Sequence, residues 1–269
     1  MNWKKGLIAG VAAMITLMAV SGCGTTSSTP TSEPAKANTK LVIGLDDNYP
    51  PVGFRDKDGN LIGSDIELAK EAAKRLGVEV EFKPIDWSAK EAELNGKKID
   101  AIWNGLTPTP EREKSILFTR PYQVSGQVIV VLKGSDMKGA ADLAGKTVGT
   151  QDGSTAIDVL AKNPELEKSF KELKKYPDIV SALMDLKVGR LDAVLADEIA
   201  ARYYIAQKNE GLEILPDRFG VEVDAVGVQL DNKELKEKLD KVLTDMEKDG
   251  TMKQIFMKWY GEDISYTGK

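Results

Sequence analysis

The chain has 269 residues, of which 42% are hydrophobic and 29% charged, and its net charge at pH 7 is −5. This length is typical of two lobes rather than of a single core, and the acidic balance gives no support to nucleic-acid binding. The chain contains no histidine and one cysteine, which excludes a Ser-His-Asp or Cys-His catalytic apparatus and an intrachain disulfide, and removes the commonest zinc and copper ligand.

The N-terminal residues are typical of a secretion signal. Lys4 and Lys5 precede a largely apolar run from Leu7 to Val20, and two small residues then lead to Cys23. The apolar run is short for a membrane span, which needs about 20 residues. An ordinary signal peptide followed by an incidental cysteine is one interpretation of this pattern.

The segment Val20-Ser21-Gly22-Cys23 also resembles the lipobox of bacterial lipoproteins. The resemblance implies that residues 1–22 are a lipoprotein signal peptide and that Cys23 carries a lipid such as palmitate, which would anchor the protein to a membrane. Residues 23–39 would then be the lipidated cysteine and a flexible tether, because Ser, Thr, Pro and Ala dominate there. Residues 1–22 hold two lysines and no acid, so the expected mature chain has a net charge of −7.

Strands and helices alternate after the tether. Apolar residues at helical spacing predict a helix from Ser64 to Leu76, and Gly77 is a typical stop signal. The other predicted elements of this half are a strand Leu41–Leu45 ending at Asp46, a hairpin turn Asp58-Gly59-Asn60, a strand Val78–Phe82, a helix Asp86–Asn95 and a buried strand Ile99–Trp103.

The second half repeats this alternation. The predicted elements are strands Gln127–Leu132, Lys146–Gly149 and Leu191–Ala196, helices Ser154–Ala161 and Ile179–Val188, a helix from about Asp197 to Gln207, and two helices over Asn232–Trp259 broken near Gly250. Such repetition predicts an α/β fold with parallel sheets covered by helices on both faces. Ligands of these sheets sit beyond the carboxyl ends of strands, where Asp46, Asn104, Gln151 and Asp197 are expected.

The stretch NGLTPTPEREK, residues 104–114, has an unusual charge pattern. Thr109 and Pro110 are typical of a helix start. A helix N-terminus is partly positive, so an arginine in the first turn, Arg112, is unfavourable there. An anion bound beside Arg112 would explain its position.

Four segments of the chain together resemble the polar amino-acid-binding proteins of ABC importers. They are LVIGLDDNYPPVGFRDKDGNLIGSDIELAKEAAKRLGVEVEF, KKIDAIWNGLTPTPEREKSILFTRPY, GKTVGTQDGST and ALMDLKVGRLDAVLADE. The resemblance runs from about Lys40 to Gly261. It implies a two-lobed α/β periplasmic-binding-protein fold with two crossover strands, lobe one being 40–126 plus 222–269 and lobe two 127–221.

The resemblance also implies a role for each position of the ligand site. Arg112 would bind the ligand α-carboxylate, and Asp197 the α-ammonium. Asp46 would meet the end of the ligand side chain. The remaining implied contacts are an assisting loop (Asn104, Gly105, Thr107), two aromatic residues beside the side chain (Tyr49, Trp87) and a closing loop of lobe two (Gln151, Ser154, Thr155).

Each role has a purely structural alternative. Arg112 could pair with neighbouring glutamates on a solvated face, Asp197 could cap the helix that follows it, and Asp46 could bond to its own turn. The two aromatic residues could be ordinary core. Departures from the family pattern at Val52, Ser64 and Gln151 leave the exact ligand open.

Charge counting narrows the ligand class. Arg112 and Asp197 balance the zwitterion, so Asp46 is an extra negative charge near the ligand side chain. An acidic side chain would be repelled there. We therefore expect a glutamine-, cystine-, arginine- or lysine-like ligand rather than glutamate or aspartate.

These features predict a monomeric, lipid-anchored protein on the extracytoplasmic face of the cell membrane that passes a free amino acid to the permease subunits of an ABC transporter. The lobes would rock about crossovers near residues 122–126 and 222–226, and no cofactor, metal or catalysis is expected. One alternative is an amino-acid sensor domain. Another is a periplasmic cyclohexadienyl-type dehydratase, in which Asp197, or less favourably Glu198, would donate a proton.

Overall fold

The computed structural model describes residues 40–208 and 211–268. The predicted signal peptide, the lipidation site Cys23 and the tether of residues 23–39 lie outside the described residues. Among the described residues, no helix has the length and apolar character needed to span a bilayer.

The strands are, in chain order, β1 (Lys40–Leu45), β2 (Asn48–Tyr49), β3 (Gly53–Arg55), β4 (Leu61–Ile62), β5 (Glu79–Pro84), β6 (Ala101–Ile102), β7 (Ile116–Phe118), β8 (Gln123–Ser125), β9 (Gln127–Leu132), β10 (Thr147–Gln151), β11 (Glu172–Tyr176), β12 (Ala193–Asp197), β13 (Leu212–Arg218), β14 (Glu222–Asp224) and β15 (Gly227–Gln229). The α-helices are α1 (Ser64–Leu76), α2 (Lys90–Asn95), α3 (Thr155–Lys162), α4 (Pro164–Ser169), α5 (Ile179–Lys187), α6 (Glu198–Lys208), α7 (Lys233–Lys248) and α8 (Thr251–Tyr260).

Lobe one is built on a five-stranded sheet in the order β5-β1-β6-β15-β7. Helices α1, α7 and α8 cover one face of this sheet, where Leu68, Leu239 and Phe256 are fully buried in one cluster. A second cluster, which includes Trp87 and Leu94, also packs against lobe-one strands. Removing these apolar side chains from water is the main favourable contribution to the folding of the lobe.

Lobe two has a matching five-stranded sheet in the order β11-β10-β12-β9-β13. One apolar cluster contains α5 residues such as Leu183 together with Tyr204 of α6. The other contains Leu160 of α3 and Leu143. Apolar clusters on both faces agree with the near-continuous apolar sequence of β9 and β12.

The expectation of parallel sheets is only partly confirmed. Strand β1 runs parallel to β5 and β6, and β10 runs parallel to β11 and β12. However, β15 is antiparallel to β6 and β7, and β9 is antiparallel to β12 and β13. Parallel neighbours need a helical crossover within the lobe, whereas β9 and β15 each follow a segment that enters from the other lobe, so their direction is not constrained in that way.

Two short strands connect the lobes side by side. Strands β8 and β14 form an antiparallel pair, with Glu222 opposite Ser125 and Asp224 opposite Gln123. They lie at the positions where crossovers were predicted. The boundaries 40–126 plus 222–269 and 127–221 stay a prediction.

Candidate functional site

A cleft lies between the two sheets and encloses about 460 Å³ of empty space, part of it open to solvent. All the residues predicted for the site line it: Asp46, Tyr49, Trp87, Asn104, Gly105, Thr107, Arg112, Gln151, Ser154, Thr155 and Asp197. Gln127, Ile179, Leu195 and Ala196 also line it and were not predicted. The structure therefore brings the predicted residues together, while their ligand contacts stay a prediction.

The predicted helix at Thr109-Pro110 is wrong. The structure has only a 3₁₀ turn at Arg112–Lys114, which strand β7 follows at once. Thr109 still stabilises the start of this turn, because its hydroxyl accepts the Arg112 N–H at 3.2 Å. A turn this short has no appreciable macrodipole, so the positive charge at this end of the cleft comes from the Arg112 side chain itself.

The Arg112 side chain is buried, with 8% of its surface exposed. Its Nη1 donates to the Thr107 carbonyl at 2.8 Å, and its Nη2 donates to the Gly153 carbonyl of lobe two at 2.9 Å. The nearest carboxylate is Glu91, 3.8 Å from Nε. A solvated pair with Glu111 or Glu113 is therefore wrong. Burial lowers the pKa of Arg112, although nearby carboxylates oppose the shift.

Two buried carboxylates hold the loop from Asn104 to Thr107 from beneath. Asp65 accepts the Gly105 N–H at 2.8 Å and the Tyr122 hydroxyl at 2.7 Å. Asp224 accepts the Thr107 hydroxyl at 3.1 Å. Because the Thr107 hydroxyl proton points at Asp224, its oxygen is left to accept a hydrogen bond from a donor in the cleft.

Sequence reasoning missed Asp65 and Asp224. They lie 40 and 117 residues from their partners in the loop, so no local pattern connects them. Burial raises the pKa of Asp65 to about 7, although the hydrogen bonds from Tyr122 and Gly105 oppose it. Burial also raises the pKa of Asp224.

Asp197 is the last residue of β12 and stands on the lobe-two wall of the cleft. One carboxylate oxygen accepts the Ile199 N–H at 2.8 Å, and the other accepts the Ser125 hydroxyl at 2.6 Å. The capping alternative is therefore confirmed, and it coexists with a place in the cleft. Burial and the neighbouring carboxylates of Asp224 and Glu222 raise the pKa of Asp197.

Asp46 and Gln151 meet across the cleft. The Gln151 side-chain amide donates to Asp46 at 2.7 Å and to the Pro177 carbonyl at 3.2 Å. The other oxygen of Asp46 accepts the Asn48 N–H at 2.9 Å, which confirms the turn alternative as well. Burial raises the pKa of Asp46 to about 6, and Asp178 and Asp47 add to the effect.

The two aromatic residues serve both the core and the cleft. Trp87 belongs to the lobe-one cluster of Leu94 and Ile99 and has 6% of its surface exposed. Tyr49 comes from lobe one, yet it packs against the apolar cluster of lobe two. Tyr49 is half-buried and connects the two lobes where it lines the cleft.

The back wall of the cleft is polar. The Gln127 amide and the Thr155 hydroxyl each donate to Glu222 at 3.0 Å, and Ser154 donates to the Gln151 carbonyl at 2.7 Å. Glu222 and Gln127 were not predicted, because each is the first residue of a strand, β14 and β9, rather than a residue at a strand's carboxyl end. Among the described residues, no group of three or more His, Cys, Asp or Glu side chains is placed to hold a metal ion.

A model of the family described as bacterial extracellular solute-binding proteins, family 3, matches residues 41–262. The chain belongs to this family. The L-cystine-binding protein TcyJ of Escherichia coli K12 is 34% identical over 232 residues, which cover 86% of each chain. The arginine-binding extracellular protein ArtP of Bacillus subtilis 168 is 34% identical over 260 residues, covering 96% of this chain and 98% of ArtP.

A solved structure shares the fold of the chain described here. An ABC uptake transporter substrate-binding protein from Streptococcus pneumoniae, with bound histidine, has a TM-score of 0.83 and 36% identity. The match covers 86% of this chain and 96% of that protein. The two-lobed α/β architecture and the family assignment, both expected from the sequence, are confirmed.

Proposed function

We propose that this protein captures a free amino acid between its lobes and delivers it to the permease of an ABC transporter. The observation that carries the proposal is one cleft with Arg112 on its lobe-one wall and Asp197 on its lobe-two wall. An amino-acid zwitterion needs one cation and one anion held at a fixed separation. The names of TcyJ, ArtP and the histidine-bound protein agree with this chemistry.

The carboxylate end of the cleft centres on Arg112. Two of its N–H groups are held by the carbonyls of Thr107 and Gly153, which fixes the plane of the guanidinium. The donors that remain can bind a carboxylate in a planar, charge-assisted geometry that lysine cannot reproduce.

The ammonium end centres on Asp197. Its two oxygens already accept one hydrogen bond each, and a carboxylate has lone pairs for more. The Thr107 oxygen, whose proton is directed to Asp224, is a second acceptor. An ammonium placed here would offset the effect of burial and stabilise the ionised form of Asp197.

The ligand side chain would extend toward Asp46 and Gln151. Asp178 also lies at this end and accepts a hydrogen bond from Asn48 at 2.8 Å. The carboxylates of Asp46 and Asp178 make the side-chain end of the cleft negative. A cationic or donor-rich neutral side chain fits, and a carboxylate does not. We propose the arginine, lysine, glutamine, histidine and cystine class, which includes the ligands named for the three relatives.

A titration tests the proposal. Purified full-length protein is titrated calorimetrically with L-arginine, L-lysine, L-glutamine, L-histidine, L-cystine and L-glutamate. At least one of the first five should bind with a dissociation constant of about 1 µM or lower, since two charge-assisted contacts plus aromatic burial can reach −8 kcal/mol. Binding of glutamate alone, or of none of them, would contradict the proposal.

We also propose that Cys23 carries the lipid that holds the protein at the extracytoplasmic face of the membrane, and that it acts as a monomer. The lipobox resemblance and the extracellular family description support this location. Metabolic labelling with an alkyne-bearing palmitate should mark the wild type and leave Cys23→Ser unlabelled. Equal labelling of both would refute it.

The raised pKa of Asp197 favours a second candidate, because a general acid must stay protonated near pH 7. We propose binding without catalysis, since the family and the relatives reported are named for solute binding. Incubation with prephenate or arogenate should leave the ultraviolet absorbance unchanged. Appearance of an aromatic product would instead favour the dehydratase. Sensing and transport share the same binding chemistry and are distinguished by uptake assays with the permease.

A further inference from the structure

Lys90 is a buried cation that the proposed binding mechanism does not use. Only 2% of its side chain is exposed, which is rare for lysine. Its ammonium donates to the Trp87 carbonyl at 3.2 Å and to the Gly153 carbonyl at 2.9 Å, and it lies 3.2 Å from a Glu91 oxygen. It also lies 5.0 Å from the centre of the Trp87 ring, which lines the cleft.

The Gly153 carbonyl oxygen accepts hydrogen bonds from two cationic side chains, Lys90 and Arg112. Gly153 belongs to lobe two, in the turn between β10 and α3, whereas Lys90 and Arg112 belong to lobe one. Each of the two donates to this one oxygen at 2.9 Å. We call these two hydrogen bonds the Gly153 contact. It exists only while the lobes are together, because its donors and its acceptor are on opposite sides of the cleft.

The backbone around Gly153 leaves no room for a side chain. A Cβ added there would lie 3.0 Å from the Ser88 Cα and 3.3 Å from the Lys90 ammonium. The residue also has φ +70°, which L-residues rarely adopt. Lobe two therefore approaches the Ser88–Lys90 segment backbone to backbone, and glycine is what permits the Gly153 contact.

The charges around Lys90 show that its burial is costly. Burial first, and then the charge of Arg112, lower the pKa of Lys90 to about 8. Glu91 compensates both cations, 3.2 Å from Lys90 and 3.8 Å from Arg112, while Asp158 of α3 and Asp86 face the cluster.

We propose that Lys90 is a positioning residue that, together with Arg112, holds the Gly153 carbonyl and thereby favours the closed arrangement of the lobes for every ligand alike. This inference rests on the proposed function. A contact present in the closed state alone raises the affinity of all ligands that need closure, by the factor through which it shifts the equilibrium. It adds nothing to discrimination between ligands, because it does not touch the ligand side chain.

Lys90→Met tests this idea in the full-length protein, with Lys98→Met as the matched control. Lys98 pairs with Glu93 on the outside of the same lobe and loses the same charge. Calorimetric titration of Lys90→Met with arginine, glutamine and histidine should show an affinity about 10- to 100-fold lower than that of the wild type for each ligand that binds. The factor should be the same for all of these ligands. The control should stay within twofold of the wild type. Unchanged affinity, or a loss confined to one ligand, would overturn the proposal.

The pH profile supplies a readout that a merely structural role would not move. Because burial in the closed form lowers the pKa of Lys90 to about 8, closing the lobes favours loss of its proton, so the wild-type affinity should rise relative to that of Lys90→Met as the pH passes through about 8. Lys90→Arg should recover part of the affinity, and Gly153→Ala should weaken all ligands together. Parallel profiles for wild type and Lys90→Met would count against the proposal.

Ligand-free measurements separate this inference from the proposed function. Single-molecule energy transfer between dyes on the two lobes gives the closed fraction without any amino acid. Lys90→Met should lower that fraction and Lys98→Met should not. If no amino acid binds the wild type, the proposed function fails while this comparison still decides the role of Lys90. An equal closed fraction in wild type and Lys90→Met would overturn it.

Discussion

Arg112→Ala should weaken amino-acid binding more than any other single truncation in the cleft. The wild-type Arg112 residue is 7% exposed, and its guanidinium is oriented by the Thr107 and Gly153 carbonyls. Truncation leaves the ligand carboxylate without its cation and removes one inter-lobe hydrogen bond. Losing the partner of a buried, hydrogen-bonded charge costs about 2–5 kcal/mol, which is a loss of roughly 30- to 4,000-fold in affinity.

Isothermal titration of the full-length protein measures this loss directly. Arg112→Lys keeps the charge without the planar fork, so it should recover only part of the affinity. Lys114→Ala, an exposed neighbour in the same 3₁₀ turn, is the control and should bind as the wild type does. Wild-type affinity in Arg112→Ala, with an unchanged melting temperature, would refute the role of Arg112.

Three further predictions follow from the carboxylates. Burial raises the pKa of Asp197, and a bound ammonium would lower it, so binding near neutral pH should release protons and the affinity should fall as the pH drops. Calorimetric titrations in buffers of different ionisation enthalpy measure the proton release. The absence of any release would contradict this prediction. Asp46→Asn should weaken arginine more than glutamine, and equal losses in competition binding would argue against its role. Asp65 has a folded-state pKa raised to about 7 by burial, so the stability that its protonated form provides should decline as the pH rises from about 4 through 7. Urea unfolding should show that decline in the wild type and a flatter profile in Asp65→Asn; a matching slope in both would exclude Asp65 as its source.

Much of the fold could be predicted because local signals agreed with tertiary packing. Helix α1 has the predicted bounds, since apolar residues recur on one face and Gly77 adopts the left-handed conformation that ends the helix. Gly250 separates α7 from α8 in the same way. Strand β11 was missed because its sequence, Glu172–Tyr176, is mostly charged and half-exposed at a sheet edge.

The site was predictable where its residues end strands. Asp46 and Asp197 occupy such positions, and their side chains face one cleft. Asp65, Asp224 and Lys90 were missed because their partners are distant in sequence. Lys90 also looks like an ordinary surface lysine near the start of a short helix, and only the approach of Gly153 across the cleft shows its burial.

The central claim is that the cleft binds an amino acid through both ends of the zwitterion, with a negative site for the side chain. A thermal-shift measurement of the full-length protein against all common amino acids, cystine and ornithine tests it most directly, because a ligand of the folded state raises the melting temperature. The account predicts a clear rise with at least one cationic or polar neutral amino acid and none with glutamate or aspartate. No rise with any amino acid, or a rise with the acidic ones alone, would contradict it.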